Sequence, residues 1–143
     1  MNKRIATVGN FLNVDVELNS RRQLKVLAKE LKKWILHHGR KNNCWLLTFE
    51  TNSIQGKSTP DGVIAKLCTV IENLSPGARR DWEAAQSRVF DIGFESAPLK
   101  KRQTVVVRSR ISGDSMRRIA DLGAKLDITC YRHFDEVPRF RSR

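Results

Sequence analysis

Five carboxylates stand where strand alternation turns them to one side: Asp15 and Glu17 in FLNVDVEL, Asp91 and Glu95 in VFDIGFES, and Asp127 in KLDITCY. Residues two apart on a strand share a face, so Asp15 goes with Glu17, and Asp91 with Glu95 across Gly93. Gathered on neighbouring strands, such a set would hold a divalent cation or divide into a general acid and a general base. The plainer expectation is the solvated face of a one-sided sheet, balanced by Arg and Lys. His37 and His38 are adjacent, so a strand points them to opposite faces, where they cannot share a metal or relay a proton. Cys44 offers His38 only the proximity of a hairpin, and His133 stands alone near the C-terminus. Gly56-Lys57-Ser58-Thr59 ends like a phosphate loop, but the glycine required five residues ahead is Thr51. No cofactor motif follows from any of these.

The cationic residues form a stronger pattern. Net charge is +12. Residues 1–50 carry ten basic and four acidic side chains, 51–97 five and six, and 98–143 twelve and five. Basicity therefore lies at the two ends. Arg21, Arg22, Lys25, Lys29, Lys32 and Lys33 cover one side of the first predicted helix, and Lys100, Lys101 and Arg102 a later connection. Arg139, Arg141 and Arg143 close the chain. Such a balance fits an acidic partner, nucleic acid first, since phosphate contacts need little more than cations within reach of the backbone.

The elements that must hold these residues are legible from periodicity. Leu12, Val14, Val16 and Leu18 alternate with Asn13, Asp15 and Glu17, a strand with one buried face. Ser20 with Gln23 reads as a capping box, followed by Leu24, Leu27, Ala28 and Leu31 at helical spacing. Strands are expected from Trp34 to His38 and from Cys44 to Thr51, joined by a turn over 39–43. A loop covers 53–58. Thr59-Pro60-Asp61 starts a helix with Ile64, Leu67, Cys68 and Ile71 inward, and Ser75-Pro76 a second one reaching about Ser87. Val89 to Ser96 and Gln103 to Ser109 are strands. Ser112 to Asp114 open the last helix, with Met116, Ile119 and Ala120 inward and Gly123 as its stop. Lys125 to Tyr131 is the last strand, with Leu126, Ile128 and Cys130 on its inner side. All three tryptophans, Trp34, Trp45 and Trp82, are expected buried.

The fold class is therefore α+β, a mixed or antiparallel sheet with helices packed on one face. The order is ferredoxin-like (split βαβ) with an appended βαβ-like unit. One domain over 1–138 precedes a basic tail at 139–143, expected to lack order of its own. No apolar run approaches the roughly 20 residues of a membrane helix, and the N-terminus lacks the apolar core of a signal peptide. Cys44, Cys68 and Cys130 show no ligand spacing, so neither disulfide framework nor zinc site is expected, and Cys68 and Cys130 read as buried thiols. A reducing cytoplasm is the expected compartment.

Trp82, Arg88 and Phe90-Asp91-Ile92-Gly93, spaced W-x5-R-x-F-D-I-G, occur with LNVDVEL and LGAKLDITCY on either side. Together they resemble a group of small, single-domain, functionally uncharacterised bacterial proteins, over most of residues 11–131. The resemblance implies a shared fold and brings no activity, cofactor or catalytic residue. A plain structural use of the pattern has Trp82 anchoring a helix, Gly93 relieving crowding or permitting a bulge, and Arg88 pairing with Asp91. Three functions remain in view. The first is a non-enzymatic binding protein docking another protein, in an immunity-type or accessory role. The second is a nucleic-acid-binding accessory protein using the basic surfaces, and the third a metal-dependent enzyme on the carboxylate face.

Overall fold

The computed structural model describes residues 9–51, 58–96 and 108–132. The predicted loop at 53–57, Lys100, Lys101 and Arg102, most of the strand expected over 103–109, His133 and the basic tail lie outside them. Arg108 and Ser109, at the end of that expected strand, have no regular structure.

The chain runs β1 (Gly9–Ser20), α1 (Lys25–Glu30), a 3-10 turn (Lys32–Trp34), β2 (Ile35–Lys41), β3 (Cys44–Phe49), α2 (Pro60–Glu72), α3 (Pro76–Ala84), β4 (Ser87–Ser96), α4 (Gly113–Asp121) and β5 (Lys125–Arg132). The strands form one open mixed sheet in the order β2-β3-β1-β4-β5. All neighbours are antiparallel except β4 and β5, which are parallel and linked through α4. The protein is thus α+β, its described residues forming four helices and one five-stranded sheet. Among the described residues no helix is long and apolar enough to cross a membrane.

Alternation makes the core. Val14, Val16 and Leu18 of β1, Leu47 and Phe49 of β3, and Phe90, Ile92 and Phe94 of β4 are buried with Leu27 of α1, Ile64, Leu67, Cys68 and Ile71 of α2, Trp82 of α3, and Ile119 of α4. One side of the sheet thereby meets the helices. The apolar face of β1 begins differently from expectation, because a bulge between Phe11 and Asn13 shifts the register. Phe11 instead of Leu12 then turns toward the core, its ring edge-on to Phe94 at 6.1 Å.

Helix starts follow their caps. Thr59 accepts from the Gly62 amide, Ser75 from Ala78 and Ser112 from Ser115, each at the expected N-cap. The capping box at Ser20 does not form. Ser20 ends β1, its hydroxyl accepts from the Arg22 amide, and α1 begins only after Leu24 in the left-handed region at φ 56°. The amides of Val26 and Leu27 donate to one oxygen of buried Asp81, on α3, at 2.9 and 3.1 Å. A carboxylate from a distant helix thus serves as the cap of α1 and meets the positive end of its dipole. The β2–β3 turn is tighter than expected, a two-residue Asn42-Asn43 turn with φ of 51° and 63°. Trp34 falls in the 3-10 turn, not in β2.

The W-x5-R-x-F-D-I-G pattern has a physical explanation. The Trp82 indole donates to the carbonyl of Leu122, at the end of α4 (3.0 Å). The Arg88 guanidinium does not pair with Asp91: it donates to the carbonyls of Trp82, Glu83 and Ala85 at the end of α3, and of Gly123 after α4. Both side chains therefore close helix C-termini, whose last carbonyls lack partners and carry partial negative charge. Gly123, at φ 67°, ends α4: its amide bonds Ala120 and that of Ala124 bonds Ile119, the paired contacts of a Schellman ending.

Candidate functional site

The sheet does gather the predicted carboxylates. Asp15 of β1 stands opposite Asp91 of β4, and Asp91 opposite Asp127 of β5, so three aspartates cross three adjacent strands on the side away from the helices. Glu17 follows on β1, opposite Thr48 and Val89, and Glu95 lies opposite Asn10 and Tyr131. Glu50, beyond β3, joins them although it stands outside the five carboxylates expected from alternation. It continues the series Leu46, Thr48, Glu50, which is the signal that could have found it.

Hydrogen bonds show how this charge is tolerated. The Asn13 amide donates to Asp15 at 2.8 Å and to Glu50 at 2.9 Å. The Thr129 hydroxyl donates to Asp91, 2.8 and 3.0 Å from its two oxygens. The Asp15 carboxyl also lies within hydrogen-bonding reach of Glu50, a contact that favours the protonated form of Asp15. Burial, followed by the Glu50 hydrogen bond and the charges of Glu50, Asp91 and Glu17, raises Asp15 to about 7. Gly93 makes the arrangement sterically possible. A Cβ there would lie 2.7 Å from the Asn13 side-chain oxygen, in the space Asn13 occupies to reach both acids. Among the described residues, no group of three or more His, Cys, Asp or Glu side chains is placed to hold a metal ion. The carboxylates of Asp15, Glu50 and Asp91 bind an amide, a hydroxyl and a proton.

The basic residues occupy another flank. The His38 ring nitrogen lies 2.7 Å from the Gln23 carbonyl, which holds the Arg21–Leu24 turn against β2. The chain then descends through α1 to Lys32, Lys33 and Trp34, whose carbonyl accepts from the Glu50 amide. Arg21, Arg22, Lys25, Lys29, Lys32 and Lys33 are all exposed along this path, but they do not share one helix face as expected. Only Lys25 and Lys29 lie on α1, while Arg21 and Arg22 stand in the turn before it, and Lys32 and Lys33 in the 3-10 turn after it. Arg40 and Lys41, outside the expected basic set because 39–43 reads as a turn, are exposed at the end of β2. Glu30 is the single carboxylate between residues 21 and 41, and it is engaged by the amide and hydroxyl of Ser75. None of these eight cations pairs with a carboxylate among the described residues.

Two tryptophans expected in the core are only half-buried on this flank. Trp45 lies against His38, with ring centroids 5.5 Å apart, and the Lys33 ammonium sits 4.2 Å from the centre of the Trp34 ring. Beside Trp34 opens a groove of about 520 Å³, lined also by Thr51, Ala65, Lys66, Thr69 and Val70. It lies where six-residue α1 gives way to the 3-10 turn, beside α2.

Of the cysteines, Cys68 is buried as expected, and burial pushes its thiol up to about 11. Cys130 is exposed, contrary to expectation, and so are Ile128, Met116 and Ala120. Alternation assigns Ile128 and Cys130 to the helix side of β5 correctly, opposite Ile92 and Phe94. Only the start of β5 meets α4, where Leu126 packs on the core.

Compared with protein-family models, curated proteins and solved structures, the chain matches none in any of the three.

Proposed function

We propose that this protein is a binding module for a polyanion, with nucleic acid the partner its surface fits. One observation carries the reading: eight exposed cations along residues 21–41 are left without carboxylate partners among the described residues. Surface lysines and arginines usually sit among acids of comparable number; here Glu30 is engaged by Ser75, and the buried Asp81 beside α1 by the helix amides. Phosphates spaced along a strand would neutralise such a flank and release their counterions. The acidic network on the open sheet face supports the same orientation, because it repels a polyanion from that side.

The test is retention of labelled DNA and RNA across a salt series. If about five phosphates are contacted, log affinity falls against log salt with a slope of roughly −3 to −5. Lys25→Glu combined with Lys29→Glu flattens that slope by about 2. Retention unchanged by the double reversal would remove the proposal.

A second reading, docking of another protein in an immunity-type or accessory role, draws support from β5. Ile128 is 68% and Met116 52% exposed near an edge strand with no further neighbour among the described residues. Two finer structural readings are also proposals. The order β2-β3-β1-β4, with α1 joining β1 to β2, supports a split βαβ (ferredoxin-like) frame with β5 added beside it. The duties of Trp82, Arg88 and Gly93 support kinship with the small bacterial proteins sharing that pattern.

A further inference from the structure

One residue lining the groove beside Trp34 carries an unpaired polar atom: Thr51 is 8% exposed, and its buried hydroxyl has no hydrogen-bond partner among the described residues. A buried hydroxyl left unpaired loses its water and gains nothing in return. Because Thr51 also lines the groove, a χ1 rotation that turns the hydroxyl to the groove surface would give it a partner in a ligand there. Around it stand the half-buried Trp34 ring, the apolar surfaces of Ala65 and Val70, and the exposed cation Lys66. The volume, about 520 Å³, is within the range of small-ligand sites. Lys33 reaches over Trp34, so the groove opens directly onto the cationic flank.

We propose that this groove receives one unstacked base of a single-stranded nucleic acid, which makes the protein a single-strand binder. The inference rests on the polyanion reading above and goes further in naming the strand state. A base offers what the groove lacks: a flat π surface for the indole and an edge of donors and acceptors for the Thr51 hydroxyl. Lys33 and Lys66 bracket it where the flanking phosphates run. A duplex keeps its bases inside the stack, so it engages the cationic flank alone. An acidic peptide matches the flank equally well but has no such planar, polar-edged group for Trp34 and Thr51.

Fluorescence polarisation with a labelled oligothymidylate of about 15 nucleotides, and with a duplex of the same length, tests the inference. The wild-type protein is expected to bind the single strand about tenfold or more tightly than the duplex. Trp34→Leu brings the single strand to the duplex level and leaves duplex affinity unchanged. Thr51→Val removes only the unpaired hydroxyl, keeps the fold's melting temperature, and weakens the single strand alone. Should Trp34→Leu melt early, Thr51→Val and Lys66→Glu carry the test in its place, each weakening the single strand more than the duplex. Equal single-strand and duplex affinity, both lost with the Lys25 and Lys29 reversals, overturns the groove inference and leaves the polyanion reading standing. Binding of neither overturns both. Polyglutamate displacing the oligonucleotide as well as unlabelled oligothymidylate does overturns the base-in-groove inference.

Discussion

Asp15→Asn is the most informative single substitution on the open face. In the folded protein Asp15 titrates at about 7, against an ordinary value of 3.8. The folded state therefore holds a proton that the unfolded chain gives up between about pH 4 and pH 7. When the unfolded state binds fewer protons, stability falls with rising pH, and it levels off once the folded carboxyl has also ionised. A shift of about three units corresponds to about 4 kcal/mol at 1.36 kcal/mol each. Asp15 is partly open to water, and screening reduces this to about 2 kcal/mol. Asparagine copies the protonated acid: its carbonyl accepts from Asn13, and its amide donates to Glu50. Groups facing it are Glu50 beyond β3, Asp91 on β4 and Glu17 on its own strand. Urea unfolding from pH 4 to pH 9 should give curves that coincide near pH 4 and separate above pH 7. There the variant is more stable by about 2 kcal/mol, or about 1 M in midpoint. The difference between the curves isolates Asp15 from every other titrating group. Parallel curves, or a variant less stable at pH 8, would refute the shared-proton account.

Three further substitutions test the frame. Asp81→Ala strips the acceptor from the Val26 and Leu27 amides and should cost about 2 kcal/mol in urea unfolding, with faster hydrogen exchange at those two amides first. Arg88→Lys keeps the charge but cannot span the ends of α3 and α4 together, and should cost about 1–2 kcal/mol by the same measurement. Gly93→Ala should cost about 1–2 kcal/mol by pushing Asn13 off its two acids. Because the cost runs through Asn13, adding Gly93→Ala to Asn13→Ala should cost little more, and full additivity would show the glycine acting elsewhere.

Much of this frame is readable in the sequence because the signals are local. Val14, Val16 and Leu18 declare a one-sided strand, and Thr59, Ser75 and Ser112 announce helix starts three residues ahead of the amides they cap. Expectation and structure part where a distant group overrides a local one. Ser20 with Gln23 is a sound local cap, yet α1 takes its cap from Asp81, 54 and 55 residues beyond the amides it serves. Asp91 is the near partner for Arg88, three residues away on the same strand, but strand alternation puts them on opposite sides. The guanidinium finds better acceptors in a ring of helix-end carbonyls. Periodicity likewise tells which face Ile128 and Cys130 share, without saying how far α4 extends over it. At the candidate site, alternation puts Asn13 on the side of Asp15 and Glu17, and would put Glu50 on the side of Thr48. The meeting of Asp15 with Asp91, and of Asp91 with Thr129, becomes visible only with strand register. The Thr51 hydroxyl has no sequence signature at all, since its lack of a partner depends on what surrounds it.

The two charged regions follow from one asymmetry of the sheet. Helices cover a single face, so the uncovered face must carry polar groups, and at its centre Asp15, Glu50 and Asp91 have no lysine or arginine bonded to them among the described residues. Those acids are held by an amide, a hydroxyl and a retained proton, so they draw no cations from elsewhere on the chain. The cations stand instead on the flank of α1 and β2, where the helix is short and the sheet ends. If cations and acids had paired, the net charge would be unchanged but no single flank would present it. Separation is what leaves the eight cations of residues 21–41 as a directed surface. The early end of α1, which hands the chain to the 3-10 turn bearing Lys32 and Lys33, also leaves the Trp34 groove open at the edge of the cations. Charge and groove therefore share a structural origin, and a partner drawn by the first arrives beside the second.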